Sequence, residues 1–307
     1  MNKTKAISAL LLLIAAAAWG FAFVAQKVGS DYIGPFGYNA ARYTLGAAAV
    51  FIVSKIIDRK KQASGTALDC TWLVDGKPNR LLVVSGCLCG LCLFAGTSLQ
   101  QAGIAFTSVG HSSFGTALYM VIVPLLSIFL HKKVSLNAWV GVVLAVLGFY
   151  FLCIQPGDFS INFGDILTLA GTLFWALQIL VIDHYVDKVD GVKLAVSQFV
   201  FTALISTIST ALFETFSPAM IVQAIIPILY GGLMSVALGF TLQIVAQKNL
   251  EANLASLLMS MESVFAVVGG VLILGDVLSS REKLGCVLIM AGVLLAQFTF
   301  KKLTKQS

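Results

Sequence analysis

The chain has 307 residues, of which 58% are hydrophobic and 11% charged, and its mean hydropathy is +0.93. Soluble domains carry roughly 45–50% apolar and 25% charged residues, and their apolar strands are short runs between charged helices, so this composition excludes one. The net charge of +6 sits in short loops and tails rather than on one helical or stranded face, which argues against a nucleic-acid surface and fits charge that sets membrane topology.

The N-terminus, MNKTKAISALLLLIAAAAWG, starts basic and turns apolar as a secretory signal does, and its alanines offer a cleavage-like site. The apolar stretch runs on to about Val24 and more spans follow, so it reads as an uncleaved first helix. Ten spans are expected, at about 7–26, 35–55, 81–102, 111–131, 136–154, 164–182, 193–213, 224–246, 253–274 and 283–300. Each reads as a helix, because lipid-exposed backbone must bond within its own segment. The connections are short and polar, the longest running from Ile56 to Arg80.

Counting charge on alternate sides gives the orientation. One side collects Lys3, Lys5, Lys55, Arg59, Lys60, Lys61, Lys77, Arg80, Lys132, Lys133, Lys188, Lys193, Lys248, Lys301, Lys302 and Lys305. The other has Lys27, Arg281 and Lys283. Both termini are therefore expected in the cytoplasm, and the bias supports an even number of spans. Of the six cysteines, Cys87, Cys89, Cys92, Cys153 and Cys286 fall in apolar spans; without a second Cys/His cluster they read as small core residues.

The two halves match. A shift of 144 positions lays Ser135, Gly141 and Gly148 on Ser279, Gly285 and Gly292; a shift of 143 lays Gly96, Leu99 and Gln100 on Gly239, Leu242 and Gln243; a shift of 156 lays Trp19 on Trp175. Five spans per half is an odd number, so the second copy is inverted in the membrane, as in many secondary transporters. The fold class is thus an all-α polytopic membrane protein of ten helices in two inverted five-helix repeats, residues 6–154 and 162–301.

In chain order, Trp19 and Phe23 in the first span, with Phe174 and Trp175 in the sixth, offer aromatic walls to an apolar or cationic ligand. Packing and interfacial anchoring compete with that use. Lys27 closes the first span, where snorkelling to the interface is the favoured reading. Tyr38 and Arg42 share a face of the second span; Arg42 reads as a carboxylate ligand, a partner of Glu262, or a snorkelling side chain. Gln100, Gln101, Gln178, Gln198, Gln243 and Gln247 are many amides for lipid-embedded helices, and Gln100 and Gln243, matched by the repeat, are the preferred pathway pair. His111 opens the fourth span as a solvated or capping residue, followed by Tyr119 and by Pro124, a candidate hinge. Glu262 stands near the middle of the ninth span, on a small-residue face with Ala255, Met259, Ala266 and Gly269. An acid there reads as a substrate-amine contact, a protonatable switch, or a carboxylate satisfied by a neighbouring helix.

The segments AAWGFAFVAQK, GPFGYNAARYTLGA, ALYMVIVPLLSIFLHKKVS and SMESVFAVVGGVLILGDVLS, with the glycine-rich tenth span, resemble the drug/metabolite transporter superfamily and, within it, the EamA-like ten-helix carriers. Two departures stand out: Ser263 replaces the proline usual after the acid of the ninth helix, and Lys132 replaces the acid usual after the fourth, which Asp276 keeps in the second half. The resemblance implies that helices one to four and six to nine surround a central cavity, with the fifth and tenth outside it, often at a homodimer contact.

The expected function is a secondary carrier in the cell membrane for a small organic metabolite, such as an amino acid or related amphipathic solute, working by alternating access with export preferred. Import, exchange and proton coupling stay open. No GxxxxGK motif speaks for ATP coupling, and HExxH, Asp-rich and GxSxG patterns are absent. No cofactor, metal or nucleic-acid partner is expected. An intramembrane enzyme acting on lipid or isoprenoid groups, and a channel or scaffold, are the competing classes.

Overall fold

The computed structural model describes residues 3–64, 70–130, 134, 136–153, 162–274 and 279–298. Lys132, Lys133, Ser135, Asp276, Lys301, Lys302 and Lys305 lie outside them, so the topology and repeat arguments that use those residues are not visible there.

The ten expected spans appear as α1 (Lys3–Gly29), α2 (Pro35–Ala63), α3 (Arg80–Phe106), α4 (Val109–Phe129), α5 (Leu136–Cys153), α6 (Phe163–Tyr185), α7 (Gly191–Phe213), α8 (Ile225–Gln247), α9 (Ala252–Ile273) and α10 (Ser280–Phe298). Eight are long and apolar enough to cross a membrane, while α5 and α10 hold shorter apolar stretches, Trp139–Gly148 and Lys283–Gly292. Leu10, Ile52, Leu91, Leu204 and Ile226 stay exposed on the outer faces, which suits a lipid solvent. The protein is a multi-pass membrane protein. The side of the bundle holding the start of α1 is called here the terminal face.

Helix starts follow local chemistry. Asn79 accepts from the backbone N–H of Leu81 and Leu82, Ser108 from His111, and Asp190 from Val192 and Lys193, while Asn162 and Asp165 form a reciprocal capping box. Pro35 opens α2 behind Gly34, which has no side chain to cap it. Glu214, just past the end of α7, does so instead, accepting from Phe36 and Gly37 N–H at 2.8 Å each.

Three differences from the sequence reading concern local shape. The long connection contains a two-residue hairpin, β1 (Leu73–Val74) against β2 (Lys77–Pro78), in an otherwise helical chain. Its turn, Asp75 and Gly76 at φ 52 and 74, is the left-handed pair that Asp-Gly favours. Second, Lys193 is not a solvated loop charge. Its Nζ is buried, 2.7 Å from Asp58 Oδ1 of α2 and 2.7 Å from the Cys70 carbonyl. Third, Lys27 does not snorkel. It caps the end of α3, donating to the carbonyls of Ile104, Ala105 and Thr107 at 2.9–3.2 Å.

Three helices are interrupted. α4 breaks at Leu118, between Ala117 and Tyr119, about two turns ahead of Pro124, whose ring removes a backbone bond of its own. α9 breaks at Ser260 and Met261, immediately before Glu262. The break occurs without the family's proline; Ser263 instead donates to the Ser113 carbonyl of α4 at 2.8 Å, so the two broken helices are stitched where they cross. α8 widens over Gly231–Phe240, a stretch of i→i+5 turns that releases backbone carbonyls toward neighbouring helices.

Helix packing reveals the inversion. α3 packs on α6 as α8 packs on α1, α1 on α9 as α6 on α4, and α2 on α8 as α7 on α3, while α2–α7, α4–α9 and α5–α10 pair with themselves. Exchanging the two sets of five helices returns the same interfaces, which is a pseudo-two-fold axis in the membrane plane. The glycine matches acquire a cause here. A Cβ on Gly148 would lie 2.7 Å from the Gly285 carbonyl, and one on Gly292 would lie 2.6 Å from the Gly141 carbonyl. α5 and α10 therefore touch backbone to backbone, and only glycine fits.

Candidate functional site

Eight of the ten helices could supply an interior site, and seven do. A central cavity is lined by Trp19, Ala22, Phe23 and Gln26 of α1, Arg42 of α2, Gln100 of α3, Thr116 and Tyr119 of α4, Trp175, Gln178 and Ile179 of α6, Ser235, Phe240 and Gln243 of α8, and Met259 and Glu262 of α9. Its volume is about 30 Å³. A 150 Å³ cavity holds benzene, so this space, at roughly a fifth of that volume, has room for water but not for a benzene-sized ligand as it stands.

The aromatic wall forms around a residue the sequence did not single out. Trp175 stacks on Phe240 at 5.7 Å between centroids and 5° between planes, and Trp19 leans on the same ring at 4.8 Å and 47°. The wide turns of α8 make this fit, because Trp19 Nε1 donates to the Ser235 carbonyl at 3.1 Å inside them. Phe174, the second aromatic of that sequence pair, is not in the lining.

Of the ten candidate residues read from the sequence, nine line the cavity and Tyr38 does not. Tyr38 is fully buried with its hydroxyl committed to the Pro227 carbonyl at 3.0 Å, and its ring supports the Arg42 guanidinium at 5.2 Å from behind. Tyr43 supports Arg42 from another side at 5.1 Å, and Asn39 Oδ1 accepts from Arg42 Nε at 2.9 Å. Arg42 is 2% exposed, so it points into the bundle rather than to the interface. It makes no ion pair with Glu262. The two side chains face one cavity without bonding to each other.

The amides form an oriented chain. Gln243 Nε2 donates to Gln178 Oε1 at 3.0 Å, and Gln178 Nε2 donates to Gln198 Oε1 of α7 at 3.4 Å. Gln100 Nε2 donates to Thr116 at 2.8 Å. Among the described residues, five polar atoms around the cavity have no protein hydrogen bond of good geometry: Gln26 Oε1, Trp175 Nε1 and Gln243 Oε1, with Tyr119 Oη and Glu262 Oε1, whose side chains lie close enough to interact with each other. Each such atom costs about 1–3 kcal/mol when buried without a bond, so their convergence marks a site built for something other than itself. Three of the five are acceptors, arranged beside aromatic faces, which is the lining an ammonium group takes.

Away from the cavity, His111 sits at the mouth of α4 with Nδ1 3.6 Å from Asp165 Oδ1, and Asp165 also accepts from the Thr107 hydroxyl. Gln26, Ile179, Ser235 and Phe240 had no signal strong enough to mark them. Phe240 alone stood beside a repeat match, Gly239 on Gly96.

With that geometry in place, the chain matches the EamA-like transporter family over residues 6–154 and 162–298. The chain belongs to this family, within the drug/metabolite transporter superfamily. It is similar to an uncharacterized transporter of Archaeoglobus fulgidus, 27% identical over 92% of this chain and 83% of that one, and to the uncharacterized transporter YoaV of Bacillus subtilis, 24% identical over 92% and 94%. It also resembles the threonine/homoserine exporter RhtA of Escherichia coli, 29% identical over 69% of this chain and 72% of that one. A crystal structure shares the fold with a TM-score of 0.76 at 17% identity, covering 98% of this chain and 99% of the other.

Proposed function

We propose that this EamA-like transporter is a secondary carrier of a small zwitterionic metabolite, of the amino-acid class, which it exports across the cell membrane by alternating access. The observation that carries the reading is the pair Arg42 and Glu262, both nearly fully buried, both facing one cavity, and not bonded to each other. A substrate carboxylate fits the guanidinium and an ammonium fits the carboxylate, with Trp19, Phe240 and Trp175 along its side. The threonine/homoserine activity named for RhtA agrees with that class.

On this reading the terminal face is cytoplasmic, as the lysine distribution favours, and residues 6–154 and 162–301 are the two repeats that rock about the cavity. The contracted cavity is then a closed point of the cycle. Exposed Val143, Leu147, Val287 and Met290 on α5 and α10 suit a contact with a second copy. A carrier is preferred to an enzyme because, among the described residues, the cavity is lined by one carboxyl group with no second acid or histidine beside it.

Purified protein in liposomes, screened with labelled amino acids, nucleosides, sugars and organic cations, tests the reading. Saturable uptake of an amino acid that Glu262→Gln and Arg42→Gln both reduce at least tenfold is expected. Uptake confined to non-zwitterionic solutes, or release of a chemically altered product, overturns it.

A further inference from the structure

We propose that the solute route passes through three spaces in series and that Gln101 and Gln247 are the bolts closing the central one on its two sides. The inference rests on the transport reading above. On the face opposite the termini lies a space of about 250 Å³, lined by Gln101 with Ser30, Tyr32 and Gly34. On the terminal face lies one of about 240 Å³, lined by Gln247 with Asp187, Asn249 and Glu251. Between them sits the 30 Å³ cavity.

Each glutamine reaches from its own vestibule to a backbone carbonyl of a residue that lines the central cavity. Gln101 Nε2 of α3 donates to the Gln26 carbonyl of α1 at 3.0 Å; Gln247 Nε2 of α8 donates to the Ile179 carbonyl of α6 at 3.2 Å. The helix pairs α3–α1 and α8–α6 are equivalent under the pseudo-two-fold axis, so the same device closes both sides. The equivalence is one of helices and not of aligned positions: Gln101 follows Gln100 by one residue, whereas Gln247 follows Gln243 by four.

Both bolts are incomplete. Gln101 is 1% exposed and Gln247 2%, and each leaves its Oε1 without a partner. A buried amide oxygen left unbonded favours any arrangement that wets it, so each glutamine sets one bond against an unmet one. On the side away from the termini, Lys27 also binds three carbonyls at the end of α3. On the terminal side, Asn249 Nδ2 donates to Ser8 Oγ at 3.1 Å, Ser127 Oγ to Asn253 Oδ1 at 3.2 Å, and Lys193 pairs with Asp58.

The test places a reporter thiol in the cavity by Ala22→Cys, with the native cysteines replaced, and adds a membrane-impermeant charged thiol reagent to right-side-out and inside-out vesicles. Gln101→Ala is expected to raise labelling at least fivefold from the face opposite the termini alone, and Gln247→Ala from the terminal face alone. No change, or equal change from both faces in each variant, overturns the proposal. Should the cysteine-free chain not fold, amide hydrogen exchange of the native-cysteine variants reads the same point. Exchange is expected to quicken around residues 26–30 and 101–107 in Gln101→Ala and around 179–185 and 244–250 in Gln247→Ala; uniform or absent change overturns it. Labelling that behaves as expected in a protein that transports nothing sinks the transport reading and leaves the gates standing.

Discussion

The indole of Trp175 rests on Gly96, where an added Cβ would lie 3.3 Å from the ring. The same relation recurs in the other half: Trp19 rests on Gly239, where a Cβ would lie 2.5 Å from Nε1. Each tryptophan comes from one repeat and its glycine from the other, so the pair of contacts joins the halves at the cavity wall.

Gly239→Ala therefore forces Trp19 off Phe240 and breaks its bond to the Ser235 carbonyl. Overpacking of this kind costs about 1–3 kcal/mol. Thermal unfolding of the purified protein should fall for Gly239→Ala and change less for Gly96→Ala, whose neighbour stands 0.8 Å further away, 3.3 against 2.5 Å. Equal effects would show that Trp19 is not held as described.

Lys193 and Asp58 make the second prediction. The lysine side chain is 2% exposed and the aspartate 15%, so the pair is largely but not wholly dry. Removing one partner of a buried pair costs about 3–5 kcal/mol, and partial solvation of Asp58 lowers that to roughly 2–3 for Lys193→Met. The double variant Lys193→Met with Asp58→Leu should recover most of the loss in a thermal unfolding series. A double variant as unstable as the single one would mean the bond to the Cys70 carbonyl, and not the ion pair, holds α7 there.

Glu214 supplies the third. It caps α2 from the end of α7 through two N–H bonds. Glu214→Ala should destabilise the protein by about 1–2 kcal/mol and speed amide exchange in the first turn of α2, while Glu214→Gln keeps one acceptor and loses less. Identical behaviour of the two variants would rule out the cap.

Much of this architecture could be read from the chain because lipid makes a simple demand on it. Long apolar runs gave the spans, and coincident Gly, Trp and Gln residues gave the inverted repeat. What stayed hidden depends on contacts between distant helices. Phe240 looks like any apolar residue until two tryptophans meet on it. Lys27 and Lys193 sit at span ends, where lysine commonly reaches for water; their actual partners, α3 carbonyls and Asp58, are 77 and more positions away. The wide turns of α8 and the break in α9 have no proline at the point of interruption, whereas the α4 break lies about two turns ahead of Pro124, the hinge the sequence offered. Tyr38 and Arg42 share a helical face, yet packing sends only Arg42 to the cavity.

Aromatic lining gives the fourth prediction. Phe240→Ala removes the ring on which both indoles pack, so it should lower amino-acid transport more than Trp19→Phe, which keeps an aromatic face. Initial-rate uptake across a concentration series separates the two. An unchanged Phe240→Ala protein would remove the aromatic wall from the substrate path.

The central claim is that Arg42 and Glu262 hold opposite ends of one substrate between the repeats. Counterflow in proteoliposomes tests it most directly: labelled amino acid outside, excess unlabelled amino acid inside, wild type against Glu262→Gln and Arg42→Gln. The expected result is saturable accumulation in the wild type that is stimulated by the inner amino acid and lost in both variants. Linear uptake insensitive to the inner solute, or counterflow that both variants retain in full, would contradict it.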